Sequence, residues 1–166
     1  MRCPSGWDRL DDLPDCYKVH ASFASWFQAS ETCRLEGAQL ASIQSAEESQ
    51  AIWSYSQVKL TGKFSHLQVW IGGHRLKAGN QFEWSDGTRW DFDMLEDKVS
   101  PDSKKYCLAL KKDGSAEWTD HFCLKIGQRI PFICKMKQMK SEPFPYKDRI
   151  TIVVSQVFSR AFPITF

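Results

Sequence analysis

The sequence predicts a single domain that mixes two helices with several short strands and is stapled by three disulfides. Three observations carry this reading. Two segments show helical apolar spacing with their own start and stop signals. Short apolar runs recur, each ending in turn residues. Six cysteines, at positions 3, 16, 33, 107, 123 and 134, form an even set without a Cys-x-x-Cys pair. The four histidines (His20, His66, His74, His121) add no ligand spacing, so the cysteines read as bridges formed in an oxidising compartment, not as a zinc site. Fifteen connectivities are open to six cysteines.

Taken in order, residues 1–24 hold Cys3, Trp7, Cys16 and Tyr17 around an Asp11-Asp12 turn with Pro14, and a hairpin closed by Cys3–Cys16 is the simplest reading. A helix follows over roughly Ser25 to Glu36. Trp26, Ala29 and Cys33 share one face, and Gly37 supplies the stop. Leu40, Ala41 and Ile43 read as a short strand. Ser45-Ala46-Glu47-Glu48 is then a capping box, in which Glu48 reaches back to the cap backbone. The helix it starts should turn Ala51, Ile52 and Tyr55 inward and fray near Gln57.

The centre of the chain is Val69-Trp70-Ile71-Gly72-Gly73 followed by Phe82-Glu83-Trp84-Ser85-Asp86-Gly87. The first reads as a buried strand stopped by glycines where a side chain would not fit. The second alternates apolar and polar residues and closes on an Asp-Gly turn. Trp70 and Trp84, each able to bury about 200 Å², mark a core centre. Residues 88–105 read as a long irregular loop. Tyr106 to Leu110 is an apolar strand, Asp113-Gly114 a hairpin turn leading to Trp118, and Pro131 to Cys134 the last strand.

Composition narrows the function. With 166 residues, 42% of them hydrophobic, the chain can bury one sizeable core. A net charge of +2 makes no case for a nucleic-acid partner, and no apolar run is long enough to span a membrane. Met1-Arg2-Cys3-Pro4 is not an apolar leader, so an exported protein would be present here as its mature form or a fragment. Residues 136–166 change character. Lysines at 135, 137 and 140 give way to Pro143 and Pro145, then to Ile150-Thr151-Ile152-Val153-Val154. This part reads as a C-terminal extension, linker or poorly ordered, with a β-prone run that lacks an obvious partner.

The combined pattern resembles the C-type lectin-like domain. It is carried by Cys16-Tyr17, Trp26, Cys33, Gly37, Leu40-Ala41-Ser42-Ile43, Glu47, Trp70-Ile71-Gly72, Phe82-x-Trp84-x-Asp86-Gly87, Cys107, Trp118, Cys123 and Phe132-Ile133-Cys134. The resemblance covers residues 3 to about 135, so the domain is set at 1–135. It looks most like secreted single-domain members, such as fish lectins of the ladderlectin and nattectin sort and eosinophil major basic protein. It implies an α+β fold with two helices flanking two small antiparallel sheets. It also implies the pairing Cys3–Cys16, Cys33–Cys134 and Cys107–Cys123, and an extracellular setting.

Sugar-binding members of the family hold Ca²⁺ with a Glu-Pro-Asn or Gln-Pro-Asp triplet, a Glu just before a cysteine, and a Trp-Asn-Asp. The matching positions here are Ser100-Pro101-Asp102, Lys105 and Trp118-Thr119-Asp120. Calcium asks for six to eight oxygens. Ser100 and Thr119 weaken that set, and Lys105 reverses the charge at one position. An ammonium there repels the cation by several kcal/mol at an effective dielectric near 20. No cofactor and no usual calcium site are therefore expected, with Asp102 and Asp120 the weak candidates for a metal. Asp91, Asp93, Glu96 and Asp97 crowd the start of the loop but read first as solvated acids.

The function expected is extracellular, non-catalytic recognition of a protein or glycan ligand without calcium. The contact surface is assigned to the long loop: Trp90 and Phe92 with Met94 and Leu95 as apolar anchors, and Lys98, Ser100, Asp102, Lys104, Lys105, Thr119 and Asp120 around them, core packing being the equal alternative for Trp90 and Phe92. One alternative is a calcium-dependent lectin with an altered ligand set. Another is a cationic defence or cytotoxic protein, which the weak net charge argues against. No catalytic motif is present, all six cysteines are committed to bridges under the implied pairing, and His121 reads as a surface residue, so no enzyme is expected. Homo-oligomers through the loop are compatible with its apolar residues.

Overall fold

The computed structural model describes residues 2–76, 81–95, 106–111, 116–123 and 127–138. The Asp113-Gly114 turn and the tail from 139 onward lie outside the described residues. β1 (Asp8–Arg9) and β2 (Asp15–Ala24) form the N-terminal hairpin, with Asp8 opposite Tyr17 and Arg9 opposite Cys16. Cys3–Cys16 bridges it, and the other bridges are Cys33–Cys134 and Cys107–Cys123, as the resemblance implied.

Helix α1 (Trp26–Leu35) starts in a reciprocal capping box that was not expected from the sequence. The Ser25 hydroxyl accepts from Gln28 N–H, while Gln28 Oε1 accepts from Ser25 N–H. It buries Trp26, Ala29 and Cys33, as expected. Gly37 at φ +74° then lets Ala38 N–H reach the Cys33 carbonyl and Gly37 N–H the Arg34 carbonyl, the paired bonds of a Schellman stop.

Helix α2 (Ala46–Lys59) corrects two expectations. It continues past Gln57 to Lys59. Its box is only half formed: the Ser45 hydroxyl caps Glu48 N–H, but the Glu48 carboxylate bonds Gln44 N–H instead of the cap. The other Glu48 oxygen is drawn inward by Tyr17 and Lys135, which outweighs a local cap bond in a buried setting. The buried face holds Glu48, Ser49, Ile52, Trp53 and Ser56, leaving Ala51 and Tyr55 half-buried at its edge.

The strands β3 (Gln39–Leu40), β4 (Val69–Arg75), β5 (Glu83–Trp84), β6 (Tyr106–Leu110), β7 (Trp118–Phe122) and β8 (Ile130–Lys137) complete one connected sheet. Its order is β1-β2-β8-β4-β6-β7, with β3 on β8 and β5 on β4. All pairs are antiparallel except β4 and β8, which meet in parallel at Trp70 and Phe132. The two small antiparallel sheets implied by the family are thus joined along this seam. The expected strand at 40–43 is laddered only at Gln39–Leu40, although Ala41 still bonds Ile133 and Gly72.

Gly72 and Gly73 do not end β4. They let other chain segments come close. A Cβ on Gly72 would stand 2.6 Å from the Leu40 carbonyl oxygen, and one on Gly73 would stand 2.6 Å from Leu108 Cδ1. Two cores result. One holds Trp26, Leu40, Trp70, Phe132 and the Cys33–Cys134 bridge. The other holds Tyr17, Ile43, Ile52, Trp84, Leu108 and Trp118. Trp70 and Trp84, read from the sequence as one core centre, are both buried but sit in different cores.

Candidate functional site

The long-loop face begins at Asp86. Its Oδ2 accepts from the Ser42 hydroxyl at 2.5 Å, and its Oδ1 accepts from Thr88 N–H at 3.0 Å and from the Thr88 hydroxyl at 2.7 Å. Gly87, at φ +73°, turns the chain outward. From there the residues alternate. Trp90 stacks on Trp84 with centroids 4.7 Å apart and on Phe82 at 5.6 Å, and it meets the edge of Trp118. Phe92 also edges onto Trp118, at 5.7 Å. The Met94 carbonyl accepts from Trp118 N–H, and Leu95 makes a parallel bridge to the same residue. Trp118 in turn donates its indole N–H to the Ser49 hydroxyl on α2.

Trp90 and Phe92 therefore lie half-buried against the second core, in keeping with the core-packing alternative. The exposed positions between them are acids. Asp91 pairs with Arg89 at 3.4 Å, and Asp93 Oδ1 accepts from Leu95 N–H in a local turn. Glu96 and Asp97 lie outside the described residues. Among the described residues, no three His, Cys, Asp or Glu side chains converge as a metal cage would require.

Thr119 and Asp120 are on β7, half-buried, opposite Ala109 and Leu108 of β6. Lys98, Ser100, Asp102, Lys104 and Lys105 lie outside the described residues. Of the nine residues assigned to the ligand surface, the structure thus gathers Trp90, Phe92, Thr119 and Asp120 around Trp118 and its strand. His121 is no simple surface residue. Its Nε2 is 2.7 Å from Gln68 Oε1, and its ring stands edge-on to Trp70.

On β8, one residue removed from Asp86 through Ser42, the fold assembles a polar cluster that sequence reasoning missed. Lys135, read as the start of a basic linker, is mostly buried. Its Nζ lies 2.7 Å from Glu48 Oε1, 3.0 Å from the Ser42 carbonyl and 3.4 Å from Asp15 Oδ2. The Tyr17 hydroxyl donates to Glu48 at 2.7 Å. Burial first, then the Glu48 charge, pushes the Tyr17 hydroxyl far above the ordinary phenol range. The available signal was alternation: Phe132, Cys134 and Met136 take one side of the strand, and Ile133 and Lys135 take the other. Nearby, His20 stacks on Phe132 at 4.6 Å, and burial holds its pKa below the usual imidazole value despite Glu36 at 3.4 Å.

A disulfide-tied mixed sheet with two flanking helices and an outward loop resting on Trp118 defines a scaffold for recognition. Residues 22–136 match the family model described as the lectin C-type domain, and the chain belongs to that family. It is 35% identical over 143 residues to rheacalcin-2 of Rhea americana, covering 80% of this chain and 94% of that one. It is 33% identical over 141 residues to C-type lectin BML-1 of Bungarus multicinctus, covering 81% and 84%. Among solved structures it resembles a calcium-independent type II antifreeze protein. There the TM-score is 0.66 at 27% identity, over 83% of this chain and 96% of that one. The domain is accordingly a recognition module of the C-type lectin type. Among the described residues, no helix is long and apolar enough to cross a membrane.

Proposed function

We propose that this domain is a secreted or extracellular, non-catalytic recognition module that binds a protein or glycan ligand without the calcium site of sugar-binding relatives. The observation that carries the reading is the substitution of the ligand set. Lys105 stands in place of a glutamate, Ser100 in place of an acid or amide, and Thr119 in place of an asparagine. A lysine adds positive charge where a divalent cation needs negative oxygens, and threonine offers only a neutral hydroxyl. A calcium-independent type II antifreeze protein has a similar structure, which is compatible with this reading. The bridged cysteines support an oxidising, extracellular setting. The ligand surface is the rim of the long loop, where half-buried Trp90 and Phe92 alternate with exposed Asp91 and Asp93, and where the sequence carries Lys98, Lys104 and Lys105 further on.

Calorimetric titration of the disulfide-intact protein with Ca²⁺, together with its melting temperature, tests this. The expected result is no saturable heat and no shift in melting temperature at millimolar calcium. Saturable binding that K105E strengthens would overturn the proposal and favour a lectin with a rebuilt site.

A further inference from the structure

Five large apolar side chains among the described residues are exposed: Phe23, Phe27, Leu35, Val58 and Phe122. Single exposed apolar residues call for no explanation. Phe23 and Phe27 are not single. Exposed by 46% and 40%, they wall the same concavity of about 570 Å³ at the junction of β2 and α1, with Ala24, Gln28, Thr32 and Arg129. Phe64 joins them, its ring 4.8 Å from that of Phe23. Lys63 Nζ sits 5.1 Å from the Phe64 ring and 5.8 Å from the Phe23 ring.

The backbone itself turns this patch outward. β2 loses its register on β8 between His20 and Ala24, and residues 21–23 are all exposed. Such an irregularity re-aims side chains, and here it leaves the Phe23 ring 46% exposed. The charges around it are unbalanced. Arg129 Nη1 donates to Gln28 Oε1 at 3.0 Å, and among the described residues no carboxylate pairs with it. Glu31, the one acid lining the concavity, is already held by Arg34 through bonds of 2.8 and 2.6 Å. Among the described residues, Lys63 likewise has only aromatic partners there.

We infer that this concavity docks an extended segment of another protein that carries an acidic side chain next to an apolar one. The apolar side chain enters between Phe23 and Phe27, and the carboxylate meets the planar fork of Arg129, with Lys63 at the rim. Aromatic walls beside an arginine are the composition of binding hot spots. Charge complementarity selects this occupant over a second copy of the chain, because self-pairing of the patch would bring Arg129 and Lys63 toward their own likenesses. This surface is separate from the long-loop rim and stands or falls without it.

The test is selection of a displayed library of random peptides on the full chain, then measurement of enriched peptides against F23S, F27S and R129Q. The expected result is enrichment of peptides with Asp or Glu beside an aromatic or aliphatic residue. Their affinity should fall roughly tenfold or more in F23S and in R129Q, with near-ultraviolet circular dichroism unchanged, and should be indifferent to L35S. R129Q keeps the reading testable if a phenylalanine variant folds poorly. No enrichment, or enriched peptides indifferent to R129Q and F23S, overturns the proposal. So does self-association abolished by F23S, or co-sedimentation with phosphatidylcholine–phosphatidylserine vesicles that depends on Phe23 and Phe27 in place of peptide binding.

Discussion

The base of the sheet and the long-loop face use the same residue types to opposite ends. At the base, Glu48 and Lys135 are buried within 2.7 Å of each other; Tyr17 donates to Glu48, while the Ser42 carbonyl and Asp15 hold Lys135. At the loop face, Asp91 and Asp93 are exposed and make one loose pair and one local turn. The acids at the base are structural because burial makes an unpaired charge costly. Those at the loop are free to meet a ligand because water already satisfies them. The aromatics complete the contrast, since Trp118 holds the loop down by ring contacts where the base is held by charge and a long-range bridge.

The largest expected difference is covalent. Removing Cys33–Cys134 with paired alanines opens a closure of 101 residues and should cost about 4.7 kcal/mol in the chain-entropy account, while removing Cys107–Cys123, with a separation of 16, should cost about 3. Urea midpoints check both, and equal losses would erase the contrast. Next comes K135M, which strands Glu48 and should destabilise by about 3 kcal/mol. The double variant E48M/K135M should recover part of that loss, and a double variant worse than K135M would show that the pair itself is not the reason.

At the loop face, W90A should cost about 2 kcal/mol, because the ring is only half-buried against Trp84 and Phe82. Thermal melts would show it, and a smaller loss than in D93A would mean the loop does not rest on its rings. The smallest effect is a pH slope. Burial depresses the His20 pKa, with Glu36 opposing that shift and Lys18 reinforcing it. His20 then contributes stability that is full above its unfolded value near 6.5. That contribution is lost as pH falls toward the depressed folded value. H20F keeps the stack on Phe132 and should flatten the fall in stability measured below about pH 6.5. An unchanged slope would assign it to another group.

Much of the scaffold was legible because it is local or periodic. The face of α1, its glycine stop, the strand Tyr106–Leu110 and the bridged hairpin follow from spacing and turn chemistry within a dozen or so residues. The family resemblance supplied the bridge pairing, which spacing alone left open. The candidate site was legible as composition, but not as geometry. Trp90 and Phe92 look like anchors in a polar loop until Trp84 and Trp118, from two other strands, are brought beneath them.

By itself the sequence determined where the two helices and most of the strands fall, and that the cysteines are bridges. Those properties depend on side-chain type and short-range spacing. Only the tertiary structure decided that Glu48 abandons its cap for Lys135, that Gly72 and Gly73 admit neighbouring segments instead of ending a strand, and that Phe23 and Phe27 wall one concavity with Arg129. Each of these joins residues far apart in the chain, where burial and close approach between elements outweigh any local preference.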